Sequence, residues 1–223
     1  MKIPSAIAAV LAFIPLLSAQ EAAKVSVRFL SFPAAIEPVK VELRLSAEKT
    51  VGIEAPSNEF SQPMEIPSAG VWSVGETVVN PDGKSVFVEY GQTKAPAFPS
   101  QMLLLVRKGA ANADGFELIA LDDRAAGFGG GMFLFLNTAR VDIAGNVGED
   151  KFVVKPGRHM IIKPEAEAGK RTAHAMFYFR RDDEARPFFS SRWPVHPRAR
   201  SMVFFYHDPE TANLRMHTVR DFL

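Results

Sequence analysis

Hydrophobic and polar residues alternate in short runs along most of this chain. Val39, Val41, Leu43 and Leu45 are interleaved with Lys40, Glu42, Arg44 and Ser46. A period of two predicts a strand with one face in a core and the other in water. Val25 to Phe32, Val51 to Glu54, Phe60 to Ile66, Val71 to Val74 and Ser85 to Tyr90 also read as strands. Pro63 places the Phe60–Ile66 run at a sheet edge, because proline cannot donate to a ladder. Pro56-Ser57-Asn58, Pro67 to Gly70 and Asn80-Pro81-Asp82-Gly83 are turn signals. Met102 to Val106 and Phe116 to Leu121 flank the polar stretch Lys108 to Gly115 as a hairpin. Met132 to Leu136 breaks the alternation with five apolar residues in succession, which fits a strand buried on both faces. Past the N-terminal stretch no long segment has helical periodicity, and Glu165 to Thr172 has room for one or two helical turns. Strand-length runs separated by turn signals about every ten residues predict a β-sandwich or barrel.

The runs recur in order. Phe133 to Thr138 resembles Val27 to Phe32, Phe152 to Gly157 resembles Met64 to Gly70, and Ala173 to Phe179 resembles Ser85 to Tyr90. Met202 to Tyr206 and Leu214 to Val219 resemble the hairpin from Met102 to Leu121, and the two hairpins end at Asp122 and Asp221. We therefore expect an all-β chain with internal duplication: two similar antiparallel β-sandwich units, immunoglobulin-like in the loose architectural sense. Residues 24–123 and 131–223 form the units, with the glycine-rich stretch 124–130 as linker. A single sandwich with strands from both repeats is the alternative.

The N-terminus predicts an address. Lys2 precedes the apolar run Ile3 to Leu17, and Leu17-Ser18-Ala19 supplies small residues at a cleavage point. This pattern is that of a signal peptide over residues 1–19. The run is shorter than the roughly 20 residues of a spanning helix. We expect export to the periplasm or beyond, with no transmembrane segment after cleavage. The chain has no cysteine, so disulfides, a thiol nucleophile and thiolate metal ligands are excluded, and packing must supply the stability. A net charge of +1 argues against nucleic acid as partner. The halves differ: Gln20 to Gly130 carries 10 Lys+Arg against 14 Asp+Glu, and Gly131 to Leu223 carries 15 against 11.

Familiar chemistry finds little support. The glycines at 127 and 129–131 precede a strand rather than open a helix, and the lysine and hydroxyl of a phosphate loop are missing. Gly-x-Ser-x-Gly and His-Glu-x-x-His do not occur. Asp122-Asp123, Asp182-Asp183-Glu184 and Asp208-Pro209-Glu210 lack the spacing of a calcium loop. His159-Met160, His174 with Met176, and Met216-His217 offer the nitrogen and thioether that suit Cu(I), but on different expected strands. No metal and no cofactor is predicted. Trp72, within a strand, reads as core.

Gly130 to Asn137, Lys155-Pro156-Gly157 and Arg200 to Tyr206 with the following hairpin resemble, in their order, a family of uncharacterised secreted bacterial β-rich proteins. The resemblance covers mainly the second half. That family has no assigned activity, so the resemblance transfers no site.

The expected function is an exported, non-catalytic binding or scaffold protein of the cell envelope. An envelope enzyme of hydrolase type, with a site between the two units, is the alternative. The candidate site is the arginine-rich segment Arg180 to Arg200, twice the length of its expected counterpart Gly91 to Ser100. Arg186, Arg192, Trp193, His196, Arg198 and Arg200 are its candidate ligand-binding residues. Guanidinium forks suit carboxylate, sulfate or phosphate, which points to an anionic polysaccharide or an acidic protein face.

Overall fold

The computed structural model describes residues 23–108, 115–181, 184–208 and 211–223. The expected signal peptide, most of the Lys108–Gly115 loop, Asp182-Asp183 and Pro209-Glu210 lie outside them.

The first unit contains β1 (Lys24–Phe32), β2 (Val39–Arg44), β3 (Thr50–Ala55), β4 (Met64–Pro67), β5 (Val71–Val79), β6 (Ser85–Lys94), β7 (Ser100–Arg107) and β8 (Phe116–Asp122). A four-residue helix, α1 (Ala125–Phe128), follows. The second unit contains β9 (Phe133–Asn137), β10 (Ile143–Val147), β11 (Asp150–Val154), β12 (Arg158–Ile162), β13 (Thr172–Arg181), β14 (Glu184–Pro194), β15 (Ala199–His207) and β16 (Leu214–Phe222). The first unit pairs its strands in the orders β4-β1-β7-β8 and β3-β2-β5-β6, and the second in the orders β12-β9-β15-β16 and β11-β10-β13-β14. Adding eight to each label of the first unit reproduces the second. Both central pairings, β1 with β7 and β9 with β15, are parallel. The duplicated all-β sandwich expected from the sequence is the observed architecture.

The strand correspondence differs from the expected one in two places. Phe152–Gly157 includes most of β11, whose counterpart is β3; the counterpart of β4 is β12. Ala173–Phe179 lies on β13, whose counterpart is β5, not β6. Alternation marks any half-buried strand, and only the pairing partner says which strand it is. Glu165–Thr172 forms a turn rather than a helix, with the Lys170 amide donating to the Glu167 carbonyl at 2.8 Å.

Three cores stack the four sheets. Phe29, Leu43, Trp72, Val74 and Leu103 fill the first sandwich, where the Trp72 indole donates to Gln101 Oε1 at 2.9 Å. Phe135, Ile143, Phe152, Phe177 and Phe205 fill the second. Between the units, Leu30, Phe32, Met102, Leu104 and Leu121 meet Leu134, Leu136, Met202, Phe204 and Val219. β7, β9 and β15 are therefore buried on both faces over most of their length, which is why they read as continuous apolar runs.

The stretch 124–130 is packed into this seam and is not a free linker. Phe128 is fully buried there, and its carbonyl accepts from Arg200 Nη1 at 2.5 Å. A side chain at Gly130 would sit 1.8 Å from the Pro197 carbonyl oxygen, so that close crossing demands glycine.

Candidate functional site

The arginine-rich segment is mostly a strand. β14 pairs with β13 from Thr172↔Pro194 to Arg181↔Glu184, as β6 pairs with β5. The apparent extra length of Arg180–Arg200 came from matching it to the connection after β6 instead of to β6 itself. The true connections are 95–99 and 195–198.

The six predicted residues occupy separate places. Arg186 lies near the far end of the β13–β14 hairpin, 3.4 Å from Glu184. Trp193 turns inward and stacks on Phe133 with ring centroids 5.4 Å apart. His196 and Arg198 are exposed in the β14–β15 connection, where His196 Nδ1 accepts from the Arg198 amide at 3.1 Å. Arg200 is only 1% exposed. Of the six, Arg192 alone stands on the outer face of the β11-β10-β13-β14 sheet.

Arg200 belongs to a charged cluster at one end of the seam. Arg28 Nη2 lies 2.9 Å from Asp123 and 2.7 Å from Asp221. Arg200 bonds both carboxylates too, its Nε reaching Asp221 Oδ2 at 2.9 Å. Burial pushes the Asp221 carboxyl up, but hydrogen bonds and charge from Arg28 and Arg200 outweigh it and hold the group below the usual carboxylate range. The aspartate equivalent to Asp221 is Asp123, not Asp122. Arg200 stands opposite Asp221, as Ser100 stands opposite Asp123, whose amide donates to the Ser100 carbonyl. Asp122 turns away and binds Arg124 at 2.7 Å. Both seam carboxylates are occupied by guanidinium groups, so the cluster locks the units together.

Two open clefts, of about 410 and 290 Å³, are lined by the first unit alone. Among the described residues no three histidine or carboxylate side chains gather to hold a metal ion, and no helix is long and apolar enough to cross a membrane.

The outer face of the β11-β10-β13-β14 sheet carries polar and cationic side chains. Ala173, Ala175 and Phe177 are buried, so His174, Met176 and Tyr178 point outward. Register extends the face in rows. Lys151, Asn146, Met176 and Ser190 form one, and Val153, Ala144, Tyr178 and Pro187 the next. Arg192 stands opposite His174. Ser190 Oγ lies 3.2 Å from His174 Nε2. Glu167, from the preceding turn, holds Lys170 at 2.6 Å and lies 3.9 Å from Arg192. The Lys170 hydrogen bond, with the charges of Lys170, Arg192 and His174, draws the Glu167 carboxyl below its usual range against a smaller opposing effect of burial. Sequence reasoning placed His174 and Met176 on one face. It missed Ser190 beside His174, since that contact depends on the hairpin register.

The matching face of the first unit carries both signs of charge. Lys40 pairs with Glu54 at 3.4 Å, and Thr77 donates to Glu42 and Ser73 to Glu89. Arg44 lies over the Phe87 ring at 3.9 Å. On the second unit's face, no outward strand position among the described residues holds a carboxylate, whereas Lys151, Arg180 and Arg192 all point out. No family model and no curated protein matches the chain.

Proposed function

We propose that this is an exported binding protein that recognises an anionic polysaccharide with the outer face of the β11-β10-β13-β14 sheet. The observation that carries this reading is the difference between the two equivalent faces. One mixes both signs of charge, Lys40 and Arg44 beside Glu42, Glu54 and Glu89; the other presents Lys151, Arg180 and Arg192, with Glu167 reaching in from a turn. Tyr178 adds a ring among these cations, and an aromatic surface suits the apolar side of a sugar. Each exposed ion pair contributes roughly 0.2–1 kcal/mol, so useful affinity needs several charges engaging a repeating ligand at once. Export rests on the N-terminal apolar stretch.

Retention on immobilised polygalacturonate, measured over a salt gradient, tests the reading. The protein should elute later than expected from its net charge. The triple variant Lys151→Ala, Arg180→Ala, Arg192→Ala should lose retention with unchanged melting. Absence of salt-dependent retention in the parent protein overturns the reading.

A further inference from the structure

Ser190 and His174 are two residues that the proposed binding role does not use. We propose that they form a nucleophile–base pair that removes an O-acyl group from the anionic polysaccharide bound on this face. The inference rests on the binding reading for its substrate and on geometry for its chemistry. The 3.2 Å separation of Ser190 Oγ and His174 Nε2 is hydrogen-bond reach for a serine and its general base. With the serine donating, Nε2 is the acceptor and the ring proton sits on Nδ1. The pair is set by the β13–β14 register. His174 stands opposite Arg192 and Met176 opposite Ser190, so the serine and imidazole meet diagonally on one face. Arg192 lies two residues from Ser190 on the same strand and faces the same way, its Nε 3.9 Å from Glu167. Ser190 is exposed and His174 half-buried beside it, within reach of a polymer lying on the sheet.

The reaction balances with water as the only co-reactant. Ser190 Oγ adds to the ester carbonyl carbon while its proton passes to His174 Nε2. The tetrahedral intermediate, its oxyanion favoured by the Arg192 charge, expels the sugar oxygen, which takes that proton. Water then attacks the acyl-serine and gives its proton to His174. The serine oxygen leaves, recovers a proton, and the carboxylic acid departs.

Two measurements on the full chain test this. A fluorophosphonate probe should add to the peptide containing Ser190 with loss of fluoride. Labelling should vanish in Ser190→Ala and slow roughly 100-fold or more in His174→Ala and His174→Gln, with melting checked for each variant. Acetate release from acetylated polygalacturonate should follow the same pattern. No label on Ser190, or labelling undiminished by loss of the imidazole, overturns the pair. If the protein is retained on unacetylated polymer but not labelled, the pair fails and the binding reading stands. Labelling without retention on the polymer overturns the anionic glycan as substrate, and the binding reading with it.

Discussion

The ring of Phe32 lies flat against that of Phe204, with centroids 4.4 Å apart and planes 5° from parallel. Phe32 ends β1 in the first unit, and Phe204 is in the middle of β15 in the second. Tyr206 closes the stack edge-on to Phe32 at 5.2 Å. This contact lies in the apolar seam that joins the two units. Phe204→Ala should cost about 3–5 kcal/mol, and Phe32→Ala a comparable amount. The double variant should cost less than the two singles together by about 0.5–1.5 kcal/mol, because the stacking is lost only once. Urea unfolding of all four proteins measures the coupling. Strict additivity would contradict a packed seam.

The charged end of the seam makes stability depend on acid. Asp221 is held below the ordinary carboxylate range, so its contribution is fully present above the unfolded value of about 3.9. It is lost as pH falls through the lower, folded value. Asp221→Asn should cost about 3 kcal/mol at neutral pH, since it removes one partner from Arg28 and Arg200. The variant should also show a flatter decline in stability below roughly pH 4. Thermal melts across the acid range, parent against variant, check both. Parallel profiles would mean that Asp221 titrates alike in the folded and unfolded chains.

The two cores fill the same position with opposite sizes. Leu43 faces Val74 across β2 and β5, and Gly145 faces Phe177 across β10 and β13. Val74 and Phe177 each precede a register shift, which identifies them as equivalents. A side chain at Gly145 would meet Phe177 at 2.6 Å and Phe152 at 2.9 Å. Gly145→Leu should therefore destabilise by about 1–3 kcal/mol or more through overpacking. Phe177→Val should destabilise by leaving a cavity. Together they should recover at least about 1 kcal/mol relative to the sum. The coupling is read from denaturant midpoints; its absence would show that the exchange of sizes is not compensatory.

Trypsin should not separate the halves. The Arg124 side chain is 46% exposed, which would suit cleavage of a free linker. Phe128 is buried in the seam, however, and the Gly131 amide donates to the Ala199 carbonyl at 2.8 Å. Cleavage after Arg124 requires this packed segment to open locally. We expect the chain to survive under native conditions and to melt in one transition. Two stable fragments of about 100 residues each would show instead that each unit folds without the other.

Alternation along Val39–Ser46 and the apolar run at Met132–Leu136 sufficed to predict half-buried and fully buried strands. These signals are local, because side-chain direction repeats every two residues and burial on both faces removes the polar half. Duplication was legible for the same reason in β1 and β9 and in the terminal hairpins, where the runs are longest. The remaining assignments depended on pairing. Nothing in Ala173–Phe179 distinguishes a partner of β14 from a counterpart of β6, and Asp122 and Asp123 are the same residue type one step apart on opposite faces. Arg200 reads as a surface cation in the sequence because arginine usually is one. It is buried because the two units dock through β7 and β15 and leave Asp123 and Asp221 to receive it. Ser190 and His174 are sixteen residues apart. Their contact exists only because the β13–β14 hairpin sets its register, and register is decided by the facing sheet and its core.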